Sequence, residues 1–119
     1  MVFKYKKTIA YRHNSNYFSY KMKHKNRLTL STIVKKQQEL LETSVDDETI
    51  LMSIANSKYY GMDPVASRIW QLLNKPTSIQ TIVATLLAEF EVSAVDCEND
   101  VVDFLESLMA ENLIVFPNE

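Results

Sequence analysis

The side chains able to do chemistry are few and scattered. In 119 residues the chain has one cysteine, Cys97, two histidines, His13 and His24, and one glycine, Gly61. A thiol nucleophile needs a base within hydrogen-bond reach, and both histidines stand in the first quarter of the chain, far from Cys97. Cys97 therefore reads as a buried, inert core residue, the usual state of a free cysteine. A lone cysteine forms no disulfide within the chain, and no Cys/His cluster has zinc-ligand spacing. A single glycine also rules out a Gly-rich phosphate loop. The run Asp46-Asp47-Glu48 offers carboxylates to a divalent cation, but it lacks the alternating ligands of a calcium loop and reads as a solvated turn. No catalytic residue, metal ligand or cofactor is predicted, and the chain is expected not to be an enzyme.

Composition points to one small domain, with 46% hydrophobic and 24% charged residues. No apolar run approaches the roughly 18 residues of a membrane span, and the N-terminus lacks a signal-peptide pattern, so the expectation is a cytoplasmic protein with no membrane partner. The net charge of −2 conceals a division. Residues 1–36 hold ten of the thirteen basic residues and no acidic one, whereas the remainder holds all fifteen acids. Within residues 1–26 lysines alternate with Phe3, Tyr5, Tyr11, Tyr17, Phe18 and Tyr20 without helical or two-residue periodicity. That stretch is read as a loosely ordered N-terminal extension, either a grip for single-stranded nucleic acid or sequence upstream of a start at Met22. Residues 27–119 are read as the folded domain.

The elements that would position any site follow from patterning. Arg27 to Val34 is a candidate first strand or edge, and Glu39 to Val45 alternates imperfectly. Thr49 to Ala55 is apolar on both sides, which marks a central strand. Lys58-Tyr59-Tyr60-Gly61-Met62 is short, aromatic and led by a lysine, which suits an edge. Asp63-Pro64 caps a helix to about Asn74, with Val65, Ile69, Trp70, Leu72 and Leu73 inward and Trp70 as a core anchor. Thr77 with Gln80 opens a second helix to about Phe90, with Ile79, Ile82, Val83, Leu86, Leu87 and Phe90 inward. Ser93 with Asp96 opens a third, closed at Asn112. The fold class is α+β, a three-stranded antiparallel sheet followed by three helices.

The third helix spreads its apolar positions over roughly 180° of its circumference, wider than one core requires. One flank is Cys97, Val101, Phe104 and Leu108; the other is Val95, Val102 and Met109. Either one flank serves a partner, or the helix is packed between two elements and both are core. Asp96, Glu98, Asp100, Asp103 and Glu106 make the same helix acidic, which favours a basic ligand.

The blocks Lys58-Tyr59-Tyr60-Gly61-Met62-Asp63-Pro64 and Ala66-Ser67-Arg68-Ile69-Trp70-Gln71-Leu72-Leu73, with the ending Leu108 to Ile114, resemble the PqqD family over about Arg27 to Val115. The likeness is greatest to its small stand-alone members associated with lasso peptides. Ser57 and Asn112 stand where the family often has glycine, and both tolerate turns. The resemblance implies a winged-helix-like domain that binds the leader segment of a ribosomally made precursor peptide as a fourth antiparallel strand. It implies delivery of that peptide to a leader peptidase and a ring-closing enzyme. On this reading Lys58, Tyr59, Tyr60 and Met62 line the strand side, and Cys97, Val101, Phe104, Leu105 and Leu108 the helix side. The alternative is a winged-helix nucleic-acid-binding protein that uses its basic N-terminal extension, but five carboxylates on the third helix would repel a phosphate backbone. An exposed edge strand also admits pairing between two copies, so a homodimer is compatible with the sequence.

Overall fold

The computed structural model describes residues 28–117 together with the backbone of Phe3–Lys4. In chain order the elements are β1 (Phe3–Lys4), β2 (Ile33–Lys36), β3 (Leu40–Val45), β4 (Glu48–Ser53), β5 (Lys58–Met62), α1 (Pro64–Leu72), β6 (Thr77–Ser78), α2 (Ile79–Glu89), β7 (Phe90–Glu91), α3 (Ala94–Ala110) and β8 (Ile114–Val115). The reading of residues 1–26 as a separate extension lies outside the described residues, apart from Phe3–Lys4, whose backbone pairs in parallel with Phe90–Glu91.

Strands β3, β4 and β5 form an antiparallel meander with β4 in the middle, Leu41 opposite Met52 and Met52 opposite Tyr59. Its two turns place Asp46 (φ 57°) and Ser57 (φ 54°) in the left-handed region. Asp tolerates that conformation through its short polar side chain, whereas Ser57 costs about 1 kcal/mol relative to a glycine. Period-two alternation then divides the sheet into two faces. Thr49, Leu51, Ser53, Tyr60 and Met62 are buried, and α1 packs against β4 and β5. Leu41, Val45, Ile50 and Tyr59 point the other way and are exposed.

The first strand begins later than its Thr-rich composition predicts and joins other partners. Arg27 to Val34 was the expected range, but the strand is Ile33–Lys36, in a second sheet of order β6-β2-β8. The residues before it make a local turn instead, in which Thr32 N–H donates to the Thr29 carbonyl and Thr29 N–H to Thr32 Oγ1. Hydroxyl side chains compete in this way with a ladder.

Helix boundaries follow the caps. Asp63 accepts from Ala66 N–H at 2.8 Å with Pro64 next in line, and α1 ends at Leu72, two residues short of Asn74. Helix α2 opens on Ser78, which accepts from Thr81 N–H, and not on Thr77. Thr77 Oγ1 donates instead to the Leu72 and Lys75 carbonyls and pins the corner between the helices. Ser93 caps α3 as its spacing predicts, and Asn112 (φ 60°) closes it.

The core is one cluster centred on Trp70, Tyr60, Leu51, Ile69, Leu86 and Leu108. Leu87, expected inward, is exposed, and Leu72 is only partly buried. Trp70 is buried, with its indole N–H donating to Glu42 Oε2 at 2.9 Å and Lys36 Nζ 4.7 Å above the ring. Lys36 also bonds Asn74 Oδ1, so β2, β3 and α1 meet at one polar node. Among the described residues no helix is long and apolar enough to cross a membrane.

Candidate peptide-binding edge

Strand β5 ends its sheet: β4 pairs with one side, and no other described strand pairs with the second. An edge of this kind offers main-chain hydrogen bonds to an incoming extended peptide. What it lacks by itself is a wall to select side chains.

Helix α3 supplies the wall, and one polar junction fixes its distance from the strand. The Tyr60 hydroxyl donates to Glu111 Oε1 at 2.6 Å. Asn56 Nδ2 donates both to that hydroxyl (3.0 Å) and to the Glu111 carbonyl (2.7 Å). Lys58 Nζ lies 3.6 Å from the same Oε1. Burial first, and then the bond to Glu111, push the Tyr60 phenol up to about 12, so it stays a donor at any physiological pH. The C-terminal end of α3 is thereby tied to the first half of β5.

Helical phase tells which residues of α3 share a side with Glu111. Glu111 shares a stripe with Asp100, Phe104 and Ser107, at spacings of four, three and four residues. Phe104, Ser107 and Glu111 on that stripe are buried and Asp100 is half-buried. Ser107 Oγ donates back to the Phe104 carbonyl at 2.6 Å. The residues in phase with Glu111 are therefore mainly polar and acidic, with one aromatic.

The nine residues singled out from sequence fall into two groups. Lys58 and Tyr59 are accessible, Tyr59 at 68%. Tyr60 and Met62 point inward, and Cys97, Val101, Leu105 and Leu108 have no exposed surface. Phe104 alone of the helix residues also belongs to the stripe that carries Glu111. The apolar flank of Cys97, Val101 and Leu108 is core, because α3 is packed against α2 on one side and β8 on another. Of the opposite flank Val95 is exposed and Val102 and Met109 are half-buried. Sequence reasoning named Asp100 only among the acids of the helix and missed Ser107 and Glu111, although their spacing with Phe104 was a readable signal once Tyr60 was known to point across.

The remaining candidates do not assemble into a reactive centre. Cys97 is fully buried, and burial, then Asp100 and Glu98, push its thiol up to about 11, away from the reactive thiolate. Asp46, Asp47 and Glu48 border a shallow cleft with Arg68, whose guanidinium is held by Glu89 at 2.7 Å. Among the described residues no three metal-ligating side chains converge.

Comparison with known proteins places this geometry. A family model described as Coenzyme PQQ synthesis protein D (PqqD) matches residues 48–114. A solved structure of TbiB1 in complex with the TbiA(beta) leader peptide is 34% identical, with a TM-score of 0.64 over 67% of this chain and 93% of that one. A lasso peptide synthetase B1 complexed with the leader peptide is 22% identical, with a TM-score of 0.62 over 69% and 96%, and bears on the fold alone. No curated protein matches the chain.

Proposed function

The chain belongs to the PqqD family, and from that premise we propose that it binds the leader segment of a ribosomally made precursor peptide and presents it to maturation enzymes, without catalysing a step itself. The leader adds as a strand to the outer edge of β5, and α3 walls the groove with Asp100, Phe104, Ser107 and Glu111. The observation that carries this reading is the Tyr60–Glu111 junction, which holds a helix face beside a terminal strand. Sequence-tolerant main-chain pairing then supplies affinity, and the acidic wall favours basic leaders. The same acids oppose the nucleic-acid reading.

Presentation draws on a different surface. Leu41, Ile50 and Tyr59, with Thr43 and Met52, line a shallow apolar depression on the outer face of the meander. Val45 and Ile54 are exposed at its two ends, and apolar surface gathered on one face is often a site of interaction. A leader strand on β5 would extend that face by its alternate side chains, so an enzyme docking there meets protein and peptide together. The enzymes fitting this role are the leader peptidase and ring-closing enzyme of a lasso-type pathway, working in the cytoplasm.

The test is fluorescence anisotropy of a labelled synthetic peptide, the leader segment of the precursor encoded beside this gene, titrated with the full chain. Saturable binding at micromolar or lower concentration supports the reading; no binding below the high micromolar range overturns it. Leu41→Lys should leave that binding unchanged while slowing leader removal by the pathway peptidase.

A further inference from the structure

Glu111 is in an unusual position for a carboxylate. Its side chain is only 1% exposed, and Oε1 is served by Tyr60 and Lys58. Oε2 is equally buried, yet among the described residues no donor reaches it. A buried carboxylate oxygen without a donor is costly, and each one calls for an explanation. The acid strengthens the Tyr60 bond and pairs with Lys58, but both of these interactions use Oε1 and leave Oε2 over.

The surroundings say what would complete it. Asn56, Lys58, Ala110, Glu111 and Asn112 enclose a cleft of about 220 Å³ where the first residue of β5 meets the end of α3. Both Asn56 Nδ2 hydrogens are directed at Tyr60 and the Glu111 carbonyl, so its amide oxygen remains as an acceptor. Asn112 Oδ1 is also an acceptor, holding Gln37 Nε2 at 3.3 Å. The cleft is thus rich in acceptors. Its one cation, Lys58, is 41% exposed, sits at 3.6 Å and hangs on a flexible stem, so it can swing away.

We propose that this cleft is a specificity pocket in which Glu111 Oε2 accepts a hydrogen bond from a donor side chain of the leader peptide, preferentially a cationic one. The proposal rests on the leader-binding reading above. It adds which residue of the peptide is read and by what. On a strand running antiparallel to β5, the residue that reaches Lys58 lies at the C-terminal end of the paired stretch. A lysine, arginine or glutamine there displaces Lys58 and fills the empty position. An alanine leaves it empty.

The experiment is a double-mutant cycle on the full chain, using the synthetic leader peptide described above and its alanine scan. Glu111→Gln keeps the acceptor for Tyr60 but turns an N–H toward the incoming donor. It is expected to weaken the wild-type leader by about ten- to hundredfold, the range for losing a hydrogen bond to a charged group. The loss should vanish against one alanine variant only, the one lacking the donor at the C-terminal end of the paired stretch. A merely structural role for Glu111 would weaken every peptide alike and so overturns the proposal. Binding by Glu111→Gln within twofold of wild type overturns it as well, while leaving leader binding intact. Failure of the wild-type chain to bind any leader removes the underlying reading instead. Because Glu111→Gln could disturb folding, the same question is put to the wild-type protein by NMR. The Glu111 carboxyl ¹³C resonance should shift on adding the native leader and stay put with the alanine variant, and equal shifts with both refute the assignment.

Discussion

Tyr60→Phe removes one oxygen from the junction between β5 and α3 and leaves the packing of the ring unchanged. The hydroxyl lost is the donor to Glu111 Oε1 and an acceptor for Asn56 Nδ2. A hydrogen bond to a charged group contributes about 1.5–3 kcal/mol, and its removal strands a buried partner. A loss of about 2 kcal/mol is therefore expected at pH 8, which lowers the melting temperature of a domain this size by roughly 8–16 °C. The pH dependence makes the prediction sharper. Burial and the bond to Glu111 push the phenol up to about 12, against about 10 in an unfolded chain. The folded protein keeps this proton after the unfolded chain has lost it. Its contribution is complete below pH 10 and is lost as pH rises from 10 through 12, by about 2–3 kcal/mol. The phenylalanine variant has nothing to lose in that window.

The gap in stability between wild type and Tyr60→Phe should thus be widest at pH 8 and should close above pH 11. Urea unfolding followed by the emission of Trp70, the only tryptophan and a buried one, measures both arms at each pH. Other groups titrate at high pH in both proteins and cancel in the difference. A variant within 0.5 kcal/mol of wild type at pH 8 would refute the reasoning. So would a gap that stays constant between pH 9 and pH 11.5.

Two further substitutions probe the surrounding frame. Val101→Asp places an unpaired charge at a position with no exposed surface and should cost about 3–5 kcal/mol, seen as loss of the cooperative thermal transition by circular dichroism. A folded variant would mean that the Cys97–Val101–Leu108 flank is not core. Ser57→Gly relieves a left-handed residue in the β4–β5 turn and should raise the urea midpoint by the equivalent of up to about 1 kcal/mol, whereas Ser57→Ile should lower it by about 1–2 kcal/mol.

The meander and the three capped helices were legible because each rests on local rules. The two-sided apolar run Thr49 to Ala55, the left-handed tolerance of Ser57 and Asn112, and the Asp63 and Ser93 caps all act within a few residues. The errors fall where two segments compete. Thr77 and Ser78 are both able to cap α2, and the choice went to Ser78 because Thr77 is occupied by carbonyls of the preceding corner. The strand at Ile33–Lys36 depends on β6 and β8, two-residue partners from distant parts of the chain that carry no strand signal of their own.

The site shows the same limit more sharply. Tyr59 was readable as outward-facing, since alternation sets it on the face opposite Lys58 and Tyr60. On α3 the breadth of the apolar arc left two readings open, a flank for a partner or a helix packed between two elements, and breadth alone does not choose between them. A helix seated between α2 and the β8 end of the chain buries the Cys97, Val101 and Leu108 flank fully and Val102 and Met109 in part, while Val95 stays exposed. The junction with β5 falls instead on Glu111, at the end of a polar stripe whose polarity made it easy to dismiss as solvated. Burial reverses that reading. A serine and a glutamate that are only 5% and 3% exposed on a helix rich in surface carboxylates are not there for solubility. Selection for a soluble surface would have left them in water. Ser107 closes its hydroxyl on the Phe104 carbonyl, and Glu111 holds the Tyr60 hydroxyl and the Lys58 ammonium, so burial here serves the frame that ties the end of α3 to β5.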